Sequence, residues 1–388
     1  MSGFNTINAQ LRDRDRDGLY RRRRTVASAQ GRELLVDGRK LLNFCSNDYL
    51  GLANDDRVRA AYKEGIDQWG AGSGSSHLIT GHTTAHHELE AALADFTGRE
   101  RCLLFGSGYA ANMGSINALV GSGDFIFEDR LNHASLLDGG LLSKARFSRY
   151  QHRDLNDLEK QLAHHHDANG RKLVITDGTF SMDGTVADIA NTAATVKQHS
   201  AWLMVDEAHS LGVIGDNGRG LVSADEFSSA TVQVVIGTLG KAFGTQGGFA
   251  VGSEAMIETL IQHARAYIYS TALPAASAVA TLTSLSIARQ ENWRRERLQE
   301  LIEKFRAGAF SLGLTLCDSA TPIQPIILGD AHTALSVSAA LEENGLLVTA
   351  IRPPTVPQGS SRLRITFTAD HTDADLATLL AGLGRSLS

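Results

Sequence analysis

The chemistry most legible in this sequence lies in two stretches, VDEAHSLG with Asp206 and His209, and TLGKAFG with Thr238 and Lys241. Each follows a short apolar run rich in β-branched residues, LMV before Asp206 and VQVVIG before Thr238. Glycine or polar residues bound both runs, so the pattern predicts two buried strands ending in loops. In a mostly parallel sheet with helical crossovers, loops at the carboxyl ends of strands are where ligands bind. An acid, an imidazole and an amine are thus expected at one rim of one sheet. That set suits pyridoxal 5'-phosphate (PLP). A lysine amine bonds the aldehyde carbon, and a carboxylate keeps a proton on the pyridine nitrogen so that the ring acts as an electron sink. Taken singly, Asp206 and Lys241 also fit a structural ion pair, and other stretches must separate the two readings.

In CLLFGSGYAANMG a short strand meets Gly106-Ser107-Gly108 and a helix starts at once. Unpaired N–H groups and the helix dipole make such a start an anion site, although many strand–helix turns carry glycine for no such reason. FIFEDRLNHASLLDG puts His133 between a strand and a helix, where the ring either stacks on a flat ligand or simply sits near a helix cap. LVITDGTFSMDG offers Asp177, Ser181 and Asp183, and Ser181 either donates to a ring oxygen or caps the next helix. In IRPPTVPQGSS the prolines stiffen a loop bearing Arg352 and Thr355. Arg352 either clamps a carboxylate or lies on the surface.

The elements that position these residues alternate strand and helix from about residue 100 to 250, which predicts an α/β sandwich with a mainly parallel sheet. Before it, residues 1 to about 25 read as a surface helix ending in Arg21, Arg22, Arg23 and Arg24. GRELLVDGRKLLNF reads as two strands around a DG turn, GAGSGSSHLITG as a loop, and TTAHHELEAALADFTG as a helix closed by Gly98. MIETLIQHARAYIYS reads as one helix; Pro274 breaks the pattern, and a further helix runs to about residue 290. WRRERLQELIEKFRAGAFSLG then opens a smaller region with strands PIQPIIL, LLVTAI and RLRITF. The expected division is 1–46, an N-terminal helix and short strands; 47–286, a large ligand-binding domain; and 287–388, a small C-terminal domain.

With 388 residues, 43% hydrophobic and 21% charged, the chain has the composition of a soluble globular protein. A net charge of −6 and a pI near 6.2 argue against a general nucleic-acid or anionic-membrane binder, even with four arginines in a row. No apolar run approaches the roughly 18 residues of a membrane span, and no secretory signal is expected. Cys45, Cys102 and Cys317 are scattered, which fits a reducing cytoplasm and no zinc or disulfide scaffold. His164, His165 and His166 are consecutive and read as a solvated helix end, and no metal is expected.

Together, SNDYLGL, the GSG–AAN turn, LNHASLLDG, TDGTFSMDG, MVDEAHSLGVIGDNGRG, TLGKAFG and IYSTALP resemble the α-oxoamine synthase family of fold-type-I PLP enzymes. The resemblance runs from about residue 20 to 370, and one departure is His77, where many relatives have arginine. It implies a fold-type-I PLP-dependent transferase, with a mainly parallel sheet in a large domain and a smaller α+β C-terminal domain. It implies that Lys241 holds PLP covalently, Asp206 pairs with its ring nitrogen and His133 stacks on the ring. His209 and Ser181 would hydrogen-bond near the ring oxygen, and Gly108, Tyr109 and Thr238 would bind the phosphate. Arg21 and Thr355 would contact substrate, Arg352 the amino-acid carboxylate, and Asn47 the same pocket. AIRPPTVPQGSSRLRITFTADH and the early arginines point to the biotin-pathway branch. That branch implies condensation of L-alanine with a pimeloyl thioester, on CoA or a carrier protein. Sister enzymes use glycine and a short acyl-CoA. A homodimer with sites at the interface, and Ser270 and Thr271 near the subunit boundary, are expected.

Overall fold

The computed structural model describes residues 3–166 and 168–387. Along the chain come α1 (Gly3–Arg16), β1 (Glu33–Val36), β2 (Arg39–Asn43), α2 (Asp56–Trp69), α3 (Thr84–Thr97), β3 (Arg101–Phe105) and α4 (Gly108–Leu119). Next are β4 (Phe125–Asp129), α5 (Ala134–Leu142), β5 (Arg146–Tyr150), α6 (Leu155–His164), β6 (Lys172–Asp177), α7 (Ile189–Gln198) and β7 (Trp202–Asp206). β8 (Val234–Thr238), β9 (Gly248–Gly252), α8 (Glu254–His263), α9 (Arg265–Ile268), α10 (Ala275–Gln290) and α11 (Trp293–Ser311) follow. The last are β10 (Ile323–Gly329), α12 (Ala331–Glu343), β11 (Leu346–Leu347), β12 (Thr349–Ile351), β13 (Ser361–Thr366) and α13 (Asp373–Leu387).

The chain forms two compact units, one of residues 50–181 and 186–295, the other of residues 1–49, 182–185 and 296–388. This differs from the three-part division expected from the sequence, because the N-terminal strands join the C-terminal region. The reason is backbone pairing: β11 runs parallel to β2, with Leu346 opposite Leu42 and Leu347 opposite Asn43.

The larger unit is built on a seven-stranded sheet in the order β3-β9-β8-β7-β6-β4-β5. β8, β7, β6, β4 and β5 are mutually parallel, and β9 alone runs against both of its neighbours. The central strands are largely apolar, as burial on both faces demands, with acids gathered at their carboxyl ends. Leu103, Ile126, Leu173, Ile175, Met204, Val234 and Ile236 share one core with Ile116 of α4, Leu136 of α5 and Ile257 and Leu260 of α8. α4 lies close to the sheet because its packing face is small: a Cβ on Gly114 would stand 2.9 Å from the Phe105 ring. Register aligns the strand ends, with Asp177 opposite Asp206 and Asp206 opposite Ile236.

In the smaller unit one sheet has the order β1-β2-β11 and another the order β10-β13-β12. The DG turn is present, with Asp37 and Gly38 both at positive φ (48° and 81°), the geometry a two-residue hairpin loop needs. The stretch LLVTAI, expected as one strand, is split between the two sheets. β11 pairs with β2, β12 pairs with β13, and buried Val348 lies between them. The N-terminal helix stops at Arg16, short of the expected residue 25, because Gly18 takes a left-handed turn (φ 66°). Residues 1 and 2 of that expected helix lie outside the described residues. The arginines after it lie outside any helix or strand, and ion pairs use two of them: Arg22 bonds Asp15, and Arg24 bonds Asp37 and Glu342. The expected helix 256–270 is broken at Ala264 into α8 and α9, and the loop before α3 contains one wide turn at His77–Gly81. α6 ends at His164; His164 and His166 are exposed as expected, whereas His165 packs on Phe125 with centroids 4.6 Å apart, and Asp167 lies outside the described residues. No helix among the described residues is long and apolar enough to cross a membrane.

Candidate active site

The acid comes first. β7 delivers Asp206 to the carboxyl edge of the sheet, where it is only 6% exposed. Its Oδ1 accepts the backbone N–H of Ala208 (2.8 Å), and its Oδ2 accepts from Asn112 Nδ2 of α4 (2.6 Å). The same Asn112 nitrogen donates to Ser135 Oγ (2.8 Å), which lies 2.7 Å from Nδ1 of His133. The Ser135 backbone N–H also points at that Nδ1 (3.3 Å), so Nδ1 is the acceptor and the imidazole proton sits on Nε2. A hydrogen-bonded path therefore links Asp206 to the orientation of the His133 ring. The backbone of His133 is tied separately, its N–H donating to Asp177 Oδ2 (3.0 Å).

The amine stands on the turn after β8, where the Gly244 N–H closes onto the Lys241 carbonyl (2.8 Å). Gly244 is at φ 64°, and a Cβ there would lie 2.3 Å from the backbone nitrogen of Ala53, so no larger residue fits. Lys241 Nζ lies 2.8 Å from His209 Nε2. Beside it, Thr238 Oγ1 donates to the Gly247 carbonyl (3.1 Å). Gly108, the first residue of α4, faces Thr238: a Cβ built on it would stand 3.5 Å from Thr238 Cβ. Ser107 caps the helix by accepting from the Ala110 N–H (3.1 Å). The N–H groups of Gly108 and Tyr109 belong to the first turn, which has no intrahelical acceptor, so a hydroxyl and a helix N-terminus lie side by side. The Tyr109 hydroxyl donates to Asp138 of α5.

Burial sets the electrostatics. It pushes the His133 pKa below the usual value; Lys241 pushes the same way and the Asp206 charge opposes it, so the ring is neutral at pH 7. Asp177 is raised well above an ordinary carboxylate, by burial first and then by the neighbouring Asp206. Glu207 rises to about 7 for want of solvent, although Leu221 and Val222 donate backbone N–H bonds to it.

Of the residues expected to meet substrate, Arg21, Asn47, Arg352 and Thr355 lie in the smaller unit and His133 in the larger. Arg21 Nη2 donates to Thr355 Oγ1 (3.1 Å), and Arg352 donates to the Gly18 carbonyl. Arg21, Arg352 and Thr355 line one cavity of about 270 Å³. Burial, and then the like charge of Arg21, lowers the Arg352 pKa, which a bound carboxylate would reverse. Asn47 is held elsewhere, its Oδ1 accepting from Arg364 (3.1 Å) and the Tyr49 hydroxyl (3.3 Å). Ser181 is half-buried in the loop after β6. Sequence reading named neither Asn112 nor Ser135, which tie the acid to the imidazole. The only signal was their place in the quoted AAN and NHAS motifs.

These residues fit PLP on the chemistry of the donor set. An amine, a buried acid, a flat neutral ring and a helix N-terminus against a threonine hydroxyl are what an aldehyde, a pyridine nitrogen, a ring face and a phosphate require. The family model of class I and II aminotransferases matches residues 39–383. A variant serine palmitoyltransferase from S. paucimobilis with a bound PLP–myriocin aldimine superposes with a TM-score of 0.93 at 31% identity, covering 99% of this chain and 97% of that one. The class is therefore a fold-type-I PLP-dependent transferase, and PLP is its cofactor. An 8-amino-7-oxononanoate synthase from Nitrosococcus oceani is 57% identical over 374 residues, 96% of this chain and 99% of that one. A solved 8-amino-7-oxononanoate synthase from Francisella tularensis is 32% identical with a TM-score of 0.78, covering 89% of this chain and 98% of that one. The chain belongs to the 8-amino-7-oxononanoate synthase family of PLP-dependent acyltransferases.

Proposed function

We propose that the chain condenses L-alanine with a pimeloyl thioester, on CoA or a carrier protein, to give 8-amino-7-oxononanoate, CO2 and the free thiol. The reading rests on one observation above the others: Lys241 Nζ, paired with His209, and the Asp206 carboxylate, held by Asn112, converge at one end of the parallel strands. PLP, when bound, supplies the electron sink that stabilises negative charge on a carbon next to an amine.

Each residue then has a task. Lys241 would hold the cofactor covalently, and its Nζ would take the Cα proton of alanine and later return one. Asp206 keeps a proton on the pyridine nitrogen. His133 covers one ring face and excludes water from it, its orientation fixed through Ser135. His209 and Ser181 hydrogen-bond near the ring oxygen. Gly108, Tyr109 and Thr238 hold the phosphate. Arg352 takes the amino-acid carboxylate, and Arg21, Thr355 and Asn47 contact substrate. The net reaction forms one C–C bond from alanine Cα to the thioester carbonyl, expels the thiol and releases CO2. The enzyme works as a homodimer in the cytoplasm, and the exposed Ser270 and Thr271 lie near the subunit boundary.

Thiol release measured with alanine and glycine crossed against acyl-CoAs of rising length tests the assignment. Alanine with the pimeloyl donor is expected to give the highest kcat/KM. Faster turnover of glycine with an acetyl donor would replace it with the chemistry of the glycine-using sister enzymes.

A further inference from the structure

A cluster of histidines near the start of α3 has no part in the reaction above. His77, His82, His86 and His87 occur within a dozen residues, close to Glu90. His86 is satisfied in the core: Nδ1 accepts the Thr83 N–H (3.1 Å), and Nε2 donates to the Leu273 carbonyl (2.7 Å). The others differ. His82, His87 and Glu90 each present one ligand atom, and all of these lie within 4.8 Å of one another. His82 Nε2 stands 4.0 Å from Glu90 Oε2. The three side chains line a cavity of about 480 Å³ that also includes His77 and Tyr267.

One of the two proton placements open to the His77–His82 pair leaves His82 in the form a metal requires. His82 Nδ1 is 3.0 Å from His77 Nδ1, so the two nitrogens share one proton. When His82 supplies it, the His82 Nε2 lone pair is left open toward Glu90, and His77 carries its own proton on Nε2. That His77 Nε2 has no partner although the residue is only 7% exposed, and His77 stacks on Tyr267 with centroids 5.0 Å apart. Glu90 is steadied from its other oxygen, Oε1 accepting the Leu104 N–H (3.0 Å). Donation of the far ring nitrogen to a fixed acceptor is the usual support of a metal-bound imidazole.

We propose that His82, His87 and Glu90 bind one divalent cation of the zinc type, with His77 as a positioning residue that fixes the His82 tautomer. Two imidazoles and one carboxylate select zinc and its first-row neighbours over magnesium or calcium, which favour oxygen donors. Ligands about 2.0–2.1 Å from a tetrahedral ion lie about 3.3 Å apart, so the cluster closes by about 1.5 Å on binding. A rotamer change of the exposed His87, with a smaller approach of His82 to Glu90, supplies that movement. The fourth position opens on the cavity and takes water.

Zinc titration of the tag-free, PLP-loaded enzyme against a chromogenic chelator tests the site. One ion per chain is expected. The His82→Asn/His87→Asn pair should weaken it at least tenfold, and His77→Phe, which keeps a ring against Tyr267 but removes the acceptor, by about tenfold. Replacing His164, His165 and His166 with asparagine should leave the affinity unchanged. Absence of stoichiometric binding, or equal affinity in the His82/His87 pair, would overturn the proposal, as would loss confined to the 164–166 variant. PLP absorption and the zinc-free melting temperature report folding, and exposed His87→Asn alone decides the matter if the pair does not fold.

Discussion

At the scale of single residues, Asn112 holds more of the site together than its place in the sequence announces. One amide nitrogen serves both Asp206 Oδ2 and Ser135 Oγ, 94 and 23 residues away. Replacing it with alanine leaves a buried carboxylate oxygen short of a donor, which costs about 1–3 kcal/mol. Asn112→Ala should therefore lower the urea midpoint and slow turnover, both measured on the PLP-saturated enzyme. Lys241→Ala should abolish thiol release and the visible absorption of covalently held PLP; near wild-type turnover would remove this lysine from its role. Asp206→Asn should slow Cα-proton exchange of alanine far more than it weakens PLP binding, and unchanged exchange would sink the ring-nitrogen assignment. Lys241, Asp206 and His209 were legible because each follows an apolar strand within a few residues, a local pattern. Asn112 and Ser135 act on partners in other elements, and local pattern carries no record of that.

At the scale of elements, the phosphate cradle proposed at Gly108 and Thr238 depends on how closely β9 approaches the start of α4. A Cβ on Gly248 would lie 2.4 Å from the Gly108 nitrogen, a backbone atom that cannot swing aside. Gly248→Ala should push the helix start away from Thr238. The expected cost is about 1–3 kcal/mol of stability, with a clear loss of PLP affinity; equilibrium dialysis of PLP and thermal melting measure the two. The strands and most helices were readable from apolar runs, caps and the Pro274 break. The misjudged boundaries have tertiary causes. α8 stops at His263, before Ala264, which is wholly buried in the sheet's core cluster, and LLVTAI divides because two different sheets claim its halves.

At the scale of the whole molecule, the two ends of the chain are stitched together by buried polar contacts as well as by strand pairing. His371 accepts the Thr368 N–H at Nδ1 (3.0 Å), donates from Nε2 to the Asn43 carbonyl (3.1 Å), and stacks on Phe44 at 4.5 Å. Burial lowers its pKa from 6.5 to about 4, and only the neutral ring satisfies both partners. Between those values the unfolded chain binds a proton that the folded one refuses. The contribution is thus intact above pH 6.5 and is lost as the pH falls toward 4, by up to about 3 kcal/mol. His371→Asn should be less stable at pH 7 and lose less between pH 7 and 4.5, as urea unfolding across that range would measure. The sequence placed the N-terminal strands and the C-terminal region in separate domains, because nothing local marks a pairing across some 300 positions.

The parallel seam between β2 and β11, where Asn43 faces Leu347, also sets a timetable for synthesis. A ribosome adding about 5–20 residues per second needs roughly 15–60 s to travel from one strand to the other. Throughout that interval the newborn hairpin presents an unmatched edge while the larger unit grows after it. Nascent chains stalled before residue 346 should therefore be the species that chaperones grip and that cling to one another.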